Sequence, residues 1–134
     1  MRVPIILRWL LTPKATVGVC AVIIPTDHVL LAQHTYKRKC PWQLPGGHLK
    51  AGEHPVDGLR REVTEELGMD AGRCELLHIE AQPLRHLTIF YKVEVSGIFR
   101  PSAEVAAVRW SLWDDLPVEL PVDQRRAILL ALNP

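Results

Sequence analysis

The chain has 134 residues, 48% of them hydrophobic, with 16 Lys and Arg against 15 Asp and Glu for a net charge of +1. That much apolar residue at such low net charge excludes a disordered chain and suits one sizeable core, hence a single domain over residues 1–134. It also argues against a protein built mainly to grip nucleic acid or an anionic membrane, either of which wants a concentrated positive field.

In chain order, Ile5–Leu11 is apolar, broken by Arg8 and followed by Pro13. It is far short of the roughly 20 apolar residues that span a bilayer and lacks the small-residue cleavage site of a signal peptide. It reads as a short amphipathic lead-in packed on the domain rather than as a membrane-surface contact. Ala15–Ile24 is a strand, Pro25-Thr26-Asp27 a turn, and Val29–Ala32 the second arm of a hairpin. Thr35–Pro41 is a polar, basic loop, and Trp42–Leu44 is a strand stub before Pro45-Gly46-Gly47. Pro55–Leu67 is a helix, with Pro55 in its first turn and Gly68 just past its end. Cys74–Ala81, His86–Val95 and Glu104–Ser111 are strand-like, and Val122–Leu132 closes the chain as a helix with Ile128, Leu129 and Leu132 on one face. Strands and helices mix without strict alternation, so the expected fold is α/β, a mixed sheet sandwiched between helices. Cys20, Cys40 and Cys74 form no CxxC pair and suggest a reducing, cytoplasmic setting.

The chemistry concentrates in Gly47–Met69, GHLKAGEHPVDGLRREVTEELGM. Within its helix, Val56, Leu59, Val63 and Leu67 form the apolar stripe, while Glu62, Glu65 and Glu66 gather on an adjacent face. Each like-charge pair at that spacing costs a helix roughly 0.2–0.5 kcal/mol. Glu65 and Glu66 in the last turn also oppose the macrodipole at about 0.3–1 kcal/mol each. Arg61 reaches Glu65 at i+4 but cannot serve all three. A local rule broken without compensation points to function, and three clustered carboxylates are hard oxygen ligands suited to Mg²⁺ or Mn²⁺. Gly58, one turn back, implies a close approach to the helix, by a ligand or by the preceding loop. Gly46 and Gly47 let backbone groups approach a phosphate or a metal.

This segment resembles the Nudix box of MutT-like proteins: Gly47, Glu53, Arg61, Glu62, Val63, Glu65, Glu66, Gly68 and Met69 fill all nine positions of its pattern. Trp42-Gln43-Leu44-Pro45-Gly46, Arg85-His86-Leu87-Thr88 and Trp110-Ser111-Leu112 are similar to the same family outside the box. The resemblance implies the Nudix fold and a divalent-metal-dependent pyrophosphohydrolase, with water attacking phosphorus in a nucleoside diphosphate linked to another group. It implies Glu65 and Glu66 as Mg²⁺ (or Mn²⁺) ligands and Glu62 as a further ligand or the base. It makes the Gly46 carbonyl another ligand and pairs Arg61 with Glu53 to hold loop to helix. The box leaves the base open among its glutamates. Glu104, ahead of the Trp110 strand, is the candidate acid from outside it.

For substrate contacts the candidates are Gly46, Gly47, His34, Trp42 and the basic run Lys37, Arg38 and Lys39. His34 stands where similar proteins often place an arginine. Trp42, Phe90, Tyr91 and Trp110 are possible stacking platforms for a base. The short chain, Arg85-His86-Leu87-Thr88 and the basic run favour a nucleoside triphosphate. Pro83 and His34 favour ADP-ribose or a nucleotide-sugar. A non-catalytic nucleotide-binding module is the rival of another class, disfavoured because no box position is lost. The partner is then a small nucleotide, not nucleic acid or membrane, with monomer and homodimer both open.

Overall fold

A computed structural model describes residues 2–133. Its elements are α1 (Ile5–Leu11), β1 (Thr16–Val22), β2 (Val29–His34), β3 (Trp42–Gln43), β4 (Gly46–His48), α2 (Pro55–Leu67), β5 (Asp70–Gln82), β6 (His86–Ser96), β7 (Val105–Ser111), a 3₁₀ turn (Trp113–Asp115) and α3 (Val122–Leu132). The strands form two sheets, β4-β1-β6-β5 and β3-β2-β7. β1 runs parallel to β6, from Thr16 opposite His86 to Val22 opposite Lys92, and every other pairing is antiparallel.

Strand alternation explains the layering. Val19, Ala21 and Ile23, with Leu30 and Ala32, bury against Leu59, Val63 and Leu67 of α2. The residues between them, Val22, Ile24, Val29 and Leu31, bury with Leu44 and Phe90 against Ala127, Ile128 and Ala131 of α3. Helices therefore cover both sides of the strands, as the mixed sandwich requires.

Three expectations need correction. β1 and β2 are not a hairpin: they follow one another in sequence but belong to different sheets, β1 pairing with β4 and β6 and β2 with β3 and β7. The buried face of α3 is Gln124, Ala127, Ile128 and Ala131, while Leu129 is exposed. The face rotates because Gln124 turns inward, accepting from Leu44 N at 3.0 Å and donating to Gln43 Oε1 at 3.0 Å. Finally, α1 forms as a helix but is not buried against the domain: none of its residues is buried, and Ile5, Trp9 and Leu11 are mostly in solvent.

α2 spans the expected residues. His54 caps it by accepting from Val56 N, Pro55 sits at its first position, and Gly68 ends it in the left-handed conformation (φ 65°). The structure also explains Gly58. A Cβ there would lie 2.2 Å from Leu49 Cδ2 and 2.9 Å from Glu53 Oε1, so the close approach is made by the preceding loop. In an open helix Gly→Ala stabilises by roughly 0.5–1 kcal/mol. Here Gly58→Ala should instead destabilise by about 1–3 kcal/mol through overpacking, read as a lower urea midpoint; an unchanged or higher midpoint would contradict the packing described.

Candidate active site

Two backbone segments meet α2 to build the site. The first is the Gly46-Gly47 strand beside β1. A Cβ on Gly46 would sit 2.1 Å from the Val19 carbonyl, and one on Gly47 would sit 2.5 Å from the Glu62 carboxylate. Only glycines let this strand lie between β1 and the acidic face of the helix. The second is the stretch between β6 and β7. Arg100 N donates to Leu67 O (2.9 Å) and Ser102 Oγ to Glu66 O (3.0 Å), satisfying carbonyls at the end of α2. Ser102 Oγ also accepts from Val105 N, and Thr35 N donates to Glu104 O, which fixes the start of β7. Glu104 is thereby held over α2.

The result is a cluster of carboxylates. One ligand oxygen from each of Glu62, Glu66 and Glu104 lies within 4.8 Å of the others. Glu65 stands outside that group, exposed, and Arg61 holds it. The guanidinium donates through Nε and Nη2 to both oxygens of Glu53 (2.8 and 2.9 Å). Its Nη1 reaches Glu62 Oε1 (2.8 Å) and Glu65 Oε2 (3.1 Å), and Nη2 also reaches His48 O (3.2 Å). This bidentate hold, helped by Lys50 N, keeps the Glu53 carboxyl down at about 2.

Glu66 has the opposite environment. It is 1% exposed, and Gly46 N donates to its Oε1 at 2.8 Å. Its other oxygen has no hydrogen-bond partner, and neither has Nδ1 of the equally buried His34, 3.5 Å away. His34 Nε2 faces Leu44 O at 3.2 Å, so its proton belongs there and Nδ1 presents a lone pair to the carboxylate. The contact is not an ion pair. Burial, with Lys37 adding to it, lowers His34 to about 4; burial, with Glu62 and Glu104 adding, raises Glu66 to about 8. Burial also raises Glu62, against the pull of Arg61. A cluster of hard oxygens with an unpartnered buried carboxylate oxygen fits a divalent cation.

Beside the cluster lies a cavity of about 800 Å³, walled by Gly46, Gly47, Arg61, Glu62, Glu65 and Glu104 at one end. Lys37, Lys50 and Tyr36 also border it, and Gln43, Gln82, Thr88, Asp123 and Gln124 supply polar groups. Among the expected contact residues, Gly46, Gly47 and Lys37 reach this wall. His34, Arg38 and Trp42 do not line it: His34 is buried behind it, Arg38 is exposed in the loop, and Trp42 stacks under Arg109. Phe90, Tyr91 and Trp110 are not on the wall either, the first two because they are core. The polar lining from Gln43, Gln82, Asp123 and Gln124 escaped sequence reasoning. Gln124 interrupting the apolar face of α3 was the available signal.

These environments set a pH dependence for the metal-free protein. Between about 7 and 8, His34 is mostly neutral in both folded and unfolded chains, while folded Glu66 keeps much of a proton that the unfolded chain releases. Stability measured in EDTA should therefore fall as pH rises through that window, with a slope below the ~1.4 kcal/mol per pH unit of one full proton. Below it, loss of the depressed His34 opposes Glu66 and flattens the curve. Glu66→Gln should remove the fall between 7 and 8; a wild-type curve that is flat or rising there would contradict this reading of Glu66.

A NUDIX domain model matches residues 13–132. The 8-oxo-dGTP diphosphatase of Proteus vulgaris is 36% identical over 84 residues, 58% of this chain and 75% of that protein. Among solved structures, a MutT NUDIX hydrolase from Burkholderia pseudomallei superposes with a TM-score of 0.77 at 27% identity, over 88% of this chain and 98% of that one. An ADP-ribose pyrophosphatase from Streptococcus suis superposes at 0.72 and 27% identity, over 90% and 94% of the two chains. With a family model covering nearly its whole length and the box folded as one loop-helix unit, the chain belongs to the Nudix hydrolase family.

Proposed function

We propose that the chain is a divalent-metal-dependent pyrophosphohydrolase that cleaves within the phosphate chain of a nucleoside diphosphate derivative, a nucleoside triphosphate before ADP-ribose or a nucleotide-sugar. The observation that carries this is the juxtaposition of the Glu62–Glu66–Glu104 cluster with a cavity large enough for a nucleotide. Similarity to an 8-oxo-dGTP diphosphatase supports the triphosphate, and similarity to an ADP-ribose pyrophosphatase keeps the second class in view.

Glu62, Glu66 and Glu104 would hold Mg²⁺ or Mn²⁺, with Gly46, whose N–H donates to Glu66, offering its carbonyl as a further ligand. Bound there, the cation would neutralise phosphate oxygens and make water a better nucleophile. The chain's own groups do the rest. Arg61 fixes Glu53, Glu62 and Glu65 relative to one another, so the helix and the loop move as one piece. Gly47 keeps the wall against Glu62 free of side chain, so a phosphate can approach the carboxylates. Lys37 and Lys50 place positive charge along the path of the polyphosphate. Glu65, on the wall but outside the cluster, would serve either as a further metal ligand or as the base for the attacking water. Gln43, Gln82, Asp123 and Gln124 offer donors and acceptors to the rest of the substrate.

kcat/KM for a nucleoside triphosphate series beside ADP-ribose, in Mg²⁺ with products identified by mass, tests the proposal. Glu66→Gln and Glu104→Gln should each lower turnover at least about a hundredfold, as removing one preorganised charge contact typically does. Lys37→Ala should lower kcat/KM about tenfold or more through a lost phosphate contact, while Arg38→Ala and Lys39→Ala change nothing. No hydrolysis of any nucleotide by folded wild type would leave the binding-module reading standing. Preference for ADP-ribose would overturn the substrate order alone.

A further inference from the structure

The net charge of +1 hides an uneven distribution. Residues 2–26 carry Arg2, Arg8 and Lys14 and no acidic residue; the first is Asp27. The same stretch holds α1, whose large apolar side chains are all in solvent: Ile5 is 81% exposed, Trp9 64% and Leu11 71%. Arg8 is the only charged residue of the helix, so apolar surface wraps most of its circumference. Lys14 folds back over its end, with Nζ 4.2 Å from the Trp9 ring centroid.

A second feature lies beside the linker that follows α1. Thr16, where the chain leaves the α1 linker, donates its backbone N–H to Arg85 O at 2.9 Å and pairs with His86. The β5–β6 turn therefore sits beside that linker. Both Leu84 and Arg85 in this turn have left-handed backbones (φ 61° and 57°), a conformation that bulky L-residues avoid. Leu84 is 97% exposed. The tight β5–β6 hairpin accounts for the left-handed backbone, but nothing in the domain covers the Leu84 side chain beside the Arg85 cation.

We infer that α1 and the Leu84–Arg85 turn form a docking edge for an anionic lipid surface. The apolar side chains of α1 and Leu84 would enter the boundary between headgroups and acyl chains, and Arg2, Arg8, Lys14 and Arg85 would meet the anionic headgroups. This is the membrane-surface contact that a packed lead-in would have excluded, and α1 is not buried. Charge complementarity points to lipid, since the cations around these apolar side chains are accompanied by no acidic residue anywhere in residues 2–26. No described helix is long and apolar enough to cross a membrane, so the contact is peripheral.

Co-sedimentation of the full chain with vesicles tests it, using phosphatidylcholine alone and phosphatidylcholine mixed with phosphatidylserine. The chain should bind the mixed vesicles, not the neutral ones, and release as salt rises. Arg8→Gln should weaken partitioning about fivefold, the equivalent of one cation at an anionic surface. Trp9→Ser with Leu10→Ser should abolish binding while leaving the melting temperature unchanged, because both side chains are mostly exposed. Absence of binding to both vesicles, binding that survives the double substitution, or a lower melting temperature in that variant would each overturn the inference. So would a dimer, seen by sedimentation velocity without lipid, that the double substitution dissolves.

Discussion

The guanidinium of Arg61 is the constraint on which the site depends. Its five N–H groups match the five hydrogen bonds it makes, to Glu53, Glu62, Glu65 and the His48 carbonyl. An ammonium could not do this, because the planar fork is what allows two bonds to Glu53 while another nitrogen turns to the helix. The bonds to Glu53 and His48 O tie the loop to α2, and those to Glu62 and Glu65 steady the helix's own carboxylates. The like-charge penalty between Glu62 and Glu65 is thus offset by a cation of the same helix. Gly58, flush against Leu49 and Glu53, lets the loop come close enough for this.

Arg61 leaves Glu66 unserved, and the rest of the architecture follows from that. Glu66 is buried, with one oxygen on Gly46 N and the other facing the lone pair of His34. Burying a carboxylate without full compensation is costly, and the group responds by holding a proton more tightly. Glu104, brought over α2 by Ser102 and Thr35, adds a further negative charge rather than a partner. An arrangement that concentrates carboxylates and omits one donor is poorly explained as a solution to folding. It is well explained as a receptacle for a cation.

Much of this was legible in the sequence because it is local. The α2 boundaries followed from Pro55 and Gly68, the buried stripe from the spacing of Leu59, Val63 and Leu67, and the acidic face from helical geometry. What was not legible depends on chain segments distant in sequence. β1 and β2 are separated by a turn signal that predicts a hairpin, yet β1 takes β6 as its parallel neighbour, a pairing that no local pattern encodes. His34 read as a substrate contact because sequence cannot show that its strand buries it against Glu66. The aromatic side chains suggested base stacking, whereas packing draws Phe90 and Tyr91 into the core and the cavity takes its polar lining from α3 and the β5–β6 strands. The solvent exposure of α1 was equally hidden, since an apolar helix is ordinarily covered.

The claim that everything else serves is that Glu62, Glu66 and Glu104 form one cation site. Mn²⁺ titration followed by electron paramagnetic resonance measures this directly, since the free-ion signal is lost on binding. The account predicts saturable loss of signal for the wild-type chain and a strongly weakened affinity when Glu62, Glu66 or Glu104 is changed singly to Gln. It predicts a smaller effect for Glu65→Gln, which lies outside the cluster. A free-ion signal unaffected by wild-type protein, with nucleotide absent and present, would contradict it.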